Sequence, residues 1–508
     1  MTTRVAVAAP STFGTDAALR VVADGGTAVD AAVAAVLATF VTEPGIVSLA
    51  GGAFATVWPA GEPDAVTVDG HLAMPGLGPP PSAVPALREV RTDYGGGVTM
   101  TAGHGSVAVP GALAALALTH ERWGALPWRE VVAPAAEVAR TGFAMGSASG
   151  YYLRYVRDTL FGWDPQTVAA LQDGSGRWLE AGDHLVVDGL ASTLELIAEE
   201  GAQSFYSGSL ATAIVQDMAE RGGLVAASDL ASYRPLVRPA LAVTTAGWQL
   251  RTNPPPAIGG PVLAAMLQLL GDRPRSDWTE DDVAVLVAVQ RQVLDARRDR
   301  IDVAADRARA GWDLVREVGL AGAGSPSTAH VSVVDTDGTA CAITTSFGYG
   351  SGATVPGTGI WLNNSLGEHE LNRAGALAPG ARLASNMAPT VARHPDGSVL
   401  AIGSPGADRI TTALLQVLAA FANGRAPLQS AVDRPRLHVH HLDQGDPDGA
   451  ARIEAEEDLP LPVLDLPVRR HHAHSMYFGG VAAALRRSDG ALEAAGDPRR
   501  AGVVAVSD

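Results

Sequence analysis

The sequence predicts an α/β sandwich with antiparallel sheets inside and helices outside, and three observations carry that prediction. Segments rich in alternating or continuous valine and alanine lie towards both ends of the chain. Helix-like segments fill the space between them. Several strand-like segments come in pairs joined by tight turns at Asp337-Gly338 and Asp396-Gly397, the chemistry of antiparallel hairpins. With 508 residues, 47% of them hydrophobic, the chain can bury a sizeable core and is longer than one ordinary domain.

From the N-terminus, TDAALRVVADGGTAVDAAVAAVLATFVTEP reads as two helices divided at Gly25-Gly26, with Asp30 opening the second. A glycine turn over residues 49–52 leads into AFATVW, an alternating strand, and AVTVDG is another. The proline- and glycine-rich residues 76–86 form a loop, and helices dominate from about Gly111 to Arg221. ALAVTTAGWQLRTNPPP reads as paired strands, after which Gly259-Gly260 open an apolar helix. A polar helical stretch from Trp278 to Glu317 gives way to the small, flexible VGLAGAGSPST. The hairpins AHVSVVD/TACAITTS and TVARHPDGSVLAIG follow, and then the helix DRITTALLQVLAAFANG.

Composition excludes several functions. A net charge of -17 argues against nucleic acid and anionic membrane as partners, since both reward basic patches. The longest apolar run, Ala31 to Val41, is too short for a transmembrane helix of about 20 residues. The first residues lack a secretory leader, so a soluble, cytoplasmic protein is expected. The chain contains no lysine, which removes P-loop NTPases, pyridoxal-phosphate enzymes and Schiff-base aldolases, and no cofactor is expected. The single cysteine, Cys341, sits in an apolar strand and reads as a packing thiol.

The chemistry centres on Ser327-Thr328, where the flexible linker meets the first strand of a hairpin. A threonine hydroxyl is a poor nucleophile unless a base takes its proton. A cut before Thr328 would give that residue a free α-amine, whose reference pKa of about 7.7–8.0 suits a general base. On local sequence alone an ordinary linker reads the same way, because Ser-Thr pairs are common.

Nearly the whole chain, roughly Gly25 to Gly502, resembles the γ-glutamyltranspeptidase family. GGTAVDAAVAAVLATFVTEP with GGAFATVW is similar to its N-terminal block, and SVAVPGALAAL, FYSGSLA, GGLVAASDLASYRP and NPPPAIGGPVL continue in order. STAHVSVVDTDGTACAITTSFGYGSG resembles the processing-site block, and GTGIWLNN, SNMAPT, GSPGADRI, AVDRPRLH and GDPRRAG complete the series. The resemblance implies a self-cleaving precursor of the N-terminal-nucleophile (Ntn) hydrolase superfamily, folded as a four-layer αββα sandwich. It implies cleavage between Ser327 and Thr328, giving residues 1–327 and 328–508 as two subunits of one sandwich. Thr328 would be the nucleophile, Ser346 a hydroxyl partner, and Gly406 and Ala407 the backbone donors of an oxyanion hole. Ala407 replaces a glycine of the family, and a negative φ there would preserve its N–H as a donor. Asn363 and Asn364 match an Asn pair at the edge of the family's substrate pocket, with a purely structural role as the alternative.

The departures cluster on substrate recognition. His71 and Leu72 stand where the family shows an arginine and a glutamate, and a neutral imidazole cannot clamp a carboxylate in a bidentate pair. Ser385 matches the first serine of a pair, Asn386 replaces the second, Ser365 replaces an amide and Glu368 an aspartate. Glu368 could still hold an amine. The resemblance therefore implies acyl transfer from a small amide to water or an amine, with a different acyl group favoured over γ-glutamyl. A true γ-glutamyltransferase or glutathione hydrolase remains the alternative, and an inactive relative that binds a small ligand is the alternative of another class. Histidines 438, 440, 441, 471, 472 and 474 lack the spacing of a helical metal pair and read as packing or surface residues, so no metal is expected.

Overall fold

The computed structural model describes residues 3–79, 84–272, 277–317, 328–369, 371–372, 377–442 and 450–507. The strands of its two main sheets are β1 (Val5–Ala9), β2 (Gly52–Trp58), β3 (Val66–Gly70), β4 (Leu236–Pro239), β5 (Leu241–Thr245) and β6 (Trp248–Thr252). They continue as β7 (Ala329–Asp335), β8 (Ala340–Ser346), β9 (Thr390–Arg393), β10 (Val399–Gly403), β11 (Ala482–Arg486), β12 (Leu492–Gly496) and β13 (Val503–Val506). Among the described residues, one sheet has the order β13-β1-β7-β8-β2-β3-β4 and the other β12-β11-β10-β9-β6-β5. Neighbouring strands are antiparallel throughout both sheets.

Side-chain alternation divides the core into three apolar layers. Odd positions of β7 (Val331, Val333) pack outwards with Val5, Val7, Cys341 and Ile343 against helices α1 (Thr12–Ala23) and α2 (Ala28–Thr42). Ala6, Val334, Ala340 and Ala342 face inwards onto Val391, Val399, Ala401 and Ala484 of the other sheet. The far face of that second sheet, with Leu250, Leu400, Ile402 and Leu485, packs on helices α3 (Gly259–Leu270) and α4 (Arg409–Leu418). The order of layers is therefore helix, sheet, sheet, helix, the αββα sandwich expected. Small residues between the sheets let them approach closely, while the larger aliphatic residues fill the outer layers.

Each main sheet draws strands from both sides of residue 328. β1 to β4 join β7, β8 and β13 in one; β5 and β6 join β9 to β12 in the other. Neither side has a sheet of its own. The apolar run Ala31 to Val41 is a wholly buried stretch of α2. That helix starts differently from the sequence expectation. Thr27 is the N-cap, and Asp30 is the third helical residue of a reciprocal capping box, its carboxylate accepting from the Thr27 N–H at 2.7 Å. The linker before Thr328, including Ser327, lies outside the described residues. Among the described residues, no helix is long and apolar enough to cross a membrane.

Gly259-Gly260 opens α3 because the backbone of residues 385–387 and Asn253 lies against it. A Cβ on Gly259 would stand 2.1 Å from the Asn386 carbonyl oxygen, and one on Gly260 would stand 1.9 Å from that of Asn253. The Ile258 and Gly259 N–H groups both donate to the Ser385 carbonyl, at 2.8 and 3.1 Å. Gly260→Ala is expected to destabilise the protein by at least about 1–3 kcal/mol. Chemical denaturation measures this; unchanged stability would contradict the close approach.

Candidate active site

Thr328 stands one residue ahead of β7, and the β7–β8 ladder fixes what it faces. The last pair of the ladder at this end is Ala329 with Thr345, so the next position sets Thr328 against Ser346, which itself pairs with Gly52 on β2. On its other flank β7 pairs with β1 only as far as Ala8 with Ser332. Pro10 has no N–H with which to continue, and Ser11 turns the chain into α1 as its N-cap. The first residues of the strand are thus held on one side and open on the other.

Two pockets meet at Thr328, which is itself only 3% exposed. One is lined by His71, Ser346, Ser365, Glu368, Ser385 and Asn386, with Leu371, Ala384, Met387 and Ile410. The structure therefore brings together Thr328, Ser346, His71, Glu368, Ser385 and Asn386 from the sequence-derived set. The other pocket occupies the space left where β1 stops. Ala9, Pro10, Glu43, Ile46, Pro405, Gly480 and Arg500 are among its walls.

Gly406 and Ala407 follow Pro405 in the loop between β10 and α4. Their φ angles are 127° and 63°. The negative φ set as the condition at Ala407 is not met: this alanine takes the left-handed conformation that a glycine adopts freely, at a cost of about 1–2 kcal/mol, and its N–H is judged by its partners instead. The loop is held there by contact, since a Cβ on Gly406 would lie 2.6 Å from the Gly479 Cα. Among the described residues, neither the Gly406 nor the Ala407 N–H has an acceptor, while their carbonyls accept from Arg409 and Ile410. Two adjacent buried donors without acceptors are what an oxyanion site requires.

Asn363 and Asn364 lie behind the pocket and do not line it. Asn363 donates to the carbonyls of Ala50 and Ala108 and accepts from the Ala108 and Ser365 N–H groups. Asn364 accepts from the Tyr349 N–H at 2.8 Å and donates to the Thr101 carbonyl at 3.1 Å. These contacts brace the loop carrying Glu368, so the placement corresponds to the structural alternative. Gly348 is kept bare by that loop, for a Cβ there would meet the Asn364 and Glu368 side-chain oxygens at 2.3 and 2.6 Å.

Both histidines near Thr328 are held neutral. His71 donates Nε2–H to the Ala384 carbonyl at 3.0 Å and stacks on Phe54. Burial depresses its pKa to about 4. His330 lies between the sheets, against Gly403, where a Cβ would come within 2.3 Å of the ring. The Ser332 hydroxyl donates to the Ala482 carbonyl, so His330 Nε2–H donates to Ser332 and Nδ1 accepts from Thr344, both at 2.8 Å. Burial pushes the pKa of His330 down to about 3. With both ring nitrogens engaged, His330 is not available as a base.

Sequence reasoning passed over Glu43 and Arg500. Glu43 ends the apolar helix α2, and that lone carboxyl after fifteen buried residues was the available signal. Burial raises its pKa to about 7, opposed by a hydrogen bond from Ser149 at 3.1 Å and by the Arg500 charge. Arg500 is 8% exposed and its Nε has no partner among the described residues.

Comparison with known proteins bears on the family and the fold. The family model described as Gamma-glutamyltranspeptidase matches residues 14–293 and 271–507. The chain is 31% identical over 528 residues to the Acylase ACY 1 proenzyme of Pseudomonas sp. (strain SE83), covering 95% of this chain and 90% of that protein. It is 30% identical over 547 residues to the glutathione hydrolase proenzyme of Pseudomonas aeruginosa, covering 98% and 94%. The crystal structure of cephalosporin acylase from Bacillus halodurans superposes with a TM-score of 0.79 at 23% identity, over 99% of this chain and 96% of that one.

The raised pKa of Glu43 has a consequence for stability. The folded protein favours the neutral carboxyl, so it retains a proton that the unfolded chain has lost, and stability falls as pH rises from 4.5 through about 7. Glu43→Gln is expected to be more stable than the wild type above pH 7, by up to about 3 kcal/mol, with the difference vanishing below pH 4.5. Denaturation midpoints across pH measure this; a constant difference would contradict it.

Proposed function

The chain belongs to the γ-glutamyltranspeptidase family, a family of hydrolases and transferases made as proenzymes, and on that premise we propose that it cleaves itself before Thr328 and acts as an amidohydrolase or acyltransferase on an acyl group other than γ-glutamyl. The observation that carries this reading is the meeting of two pockets at a buried Thr328, beside a loop whose consecutive N–H groups have no acceptors among the described residues.

In the intact chain the Thr328 nitrogen is a peptide group and cannot act as a base. Cleavage converts it into an amine, which takes the hydroxyl proton as Oγ1 attacks the substrate carbonyl. The Gly406 and Ala407 N–H groups receive the oxyanion, and the amine returns the proton to the leaving nitrogen. Water or an acceptor amine then attacks the acyl-threonine ester, and its proton restores the Thr328 hydroxyl. The acyl group takes the pocket lined by His71, Glu368, Ser385 and Asn386, and the leaving group the more apolar one beside Pro10. Residues 1–327 and 328–508 stay together after cleavage because both contribute strands to each main sheet.

A neutral His71 is the reason for favouring another acyl group. It gives no charge-assisted pair to an α-carboxylate, a loss of about 1.5–3 kcal/mol of binding. The alternative, a γ-glutamyl enzyme, draws on the buried Glu368, which could hold a substrate amine, and on the glutathione hydrolases among the relatives.

Denaturing electrophoresis is expected to show two fragments, the smaller beginning at Thr328. Thr328→Ala is expected to remain a single chain and to lose turnover by at least about 10⁴-fold. A variant that still matured would refute the assignment, and an uncut wild type would favour the ligand-binding reading. On the processed enzyme, amides lacking an α-carboxylate are expected to outrun a γ-glutamyl anilide; the reverse order would establish the γ-glutamyl alternative.

A further inference from the structure

The histidine-rich HVHH segment forms an edge strand (Leu437–His441) outside the two main sheets, and strand alternation separates its members. His441 points to Asp295, 2.8 Å away. His438 and His440 turn to the opposite side and converge on Asp408, the residue that follows Ala407. His438 Nε2 lies 3.1 Å and His440 Nδ1 3.8 Å from Asp408 Oδ2, and the three atoms lie within 4.8 Å of one another. Ligands about 2.0–2.2 Å from a tetrahedral ion are separated by about 3.3–3.6 Å, a range these two distances bracket.

Hydrogen bonding around the cluster is compatible with a bound ion. The Thr412 hydroxyl lies 3.1 Å from the Arg409 carbonyl and 3.2 Å from His438 Nδ1. When it donates to the carbonyl it accepts from Nδ1–H, and the Nε2 lone pair is then directed at Asp408 Oδ2, where an ion would sit. Among the described residues, His440 Nδ1 has no hydrogen-bond partner. The other groups facing the cluster are Arg409, whose guanidinium pairs with Asp408 Oδ1, and the Tyr477 ring, 6.4 Å from that of His438. Across the ladder, Glu454 is opposite His438 and Arg452 opposite His440. Glu454 is engaged by Arg452 and His471.

We propose that Asp408 Oδ2, His438 Nε2 and His440 Nδ1 bind one divalent transition-metal ion, zinc or cobalt, with water completing its shell. Two imidazoles and a carboxylate suit such an ion better than magnesium or calcium, which take oxygen ligands. Thr412 supplies the outer hydrogen bond that fixes the His438 tautomer, as is usual for a metal-bound imidazole. The ion would tie the loop carrying Gly406 and Ala407 to the edge strand. Its binding does not depend on the catalytic reading above.

The test uses the full-length protein as isolated, stripped with a chelator and titrated with Zn²⁺ by calorimetry and with Co²⁺ by visible absorption. One ion per chain is expected, with a ligand-field spectrum for Co²⁺ and a Zn²⁺-dependent rise in melting temperature. His440→Ala, at a side chain that is 29% exposed, is expected to weaken binding by at least about 100-fold and to lose the melting shift while keeping the apo melting temperature. His440→Gln serves if the alanine variant fails to fold. His472→Ala, in the other histidine-rich segment, is expected to bind as the wild type does. No saturable binding by the wild type, binding unchanged in the His440 variants, or binding lost with His472→Ala would each overturn the proposal.

Discussion

The feature on which the site depends is the one-sided pairing of β7 at its start. Over most of its length this strand is bonded on both flanks, which fixes its register against β1 and β8. At its first residues the β1 flank ends, because Pro10 cannot donate and Ser11 caps a helix instead. Thr328 is thereby held rigidly by β8 and β2 on one side and opened to a pocket on the other. A fully paired start would leave no room for a leaving group, and an unpaired one would leave the hydroxyl undirected.

The narrow space between the sheets sets the electrostatics. Alanines line most of it, with Val334, Val391 and Val399, so the sheets approach closely around an apolar layer. Imidazoles packed into such surroundings stay neutral, because nothing replaces the lost hydration of a charged ring. His330 is fully bonded there and His71 is held by one carbonyl. With both rings neutral, the amine that cleavage would create at Thr328 is the base best suited to the proposed reaction. The same dryness raises the pKa of Glu43 in the second pocket.

The loop from Ser404 to Asp408 links the parts of the site. Its shape is imposed by contact with Gly479, strongly enough to hold an alanine at positive φ. That conformation leaves two N–H groups without acceptors among the described residues and sets Asp408 beside the edge strand. Sequence could mark Ala407 as a departure from glycine. It could not reveal that the backbone keeps the glycine conformation, since that follows from a contact with a residue some seventy positions away.

Much of the fold was legible in the sequence. Alternation gave the hairpins of β7–β8, β9–β10 and β5–β6, glycine and proline marked their ends, and the apolar run of α2 predicted a buried helix, because these features depend on neighbours within a few residues. Thr328, Ser346, His71, Glu368, Ser385 and Asn386 were also found from ordered motifs, and the structure gathers them around one pocket. Other features depended on distant contacts. Asn363 proved to be saturated by backbone groups and Asn364 bonded to two of them, Glu43 and Arg500 met at one pocket across hundreds of residues, and two histidines of HVHH converged on Asp408. By itself the sequence determined an α/β sandwich with antiparallel sheets inside, since periodicity is a local property, and the order of its motifs, through their resemblance to a family, added the four αββα layers and the threonine at a strand start. Only the tertiary structure decided that this threonine is paired on one side and open on the other, because that requires β1 to stop where Pro10 and Ser11 turn the chain away.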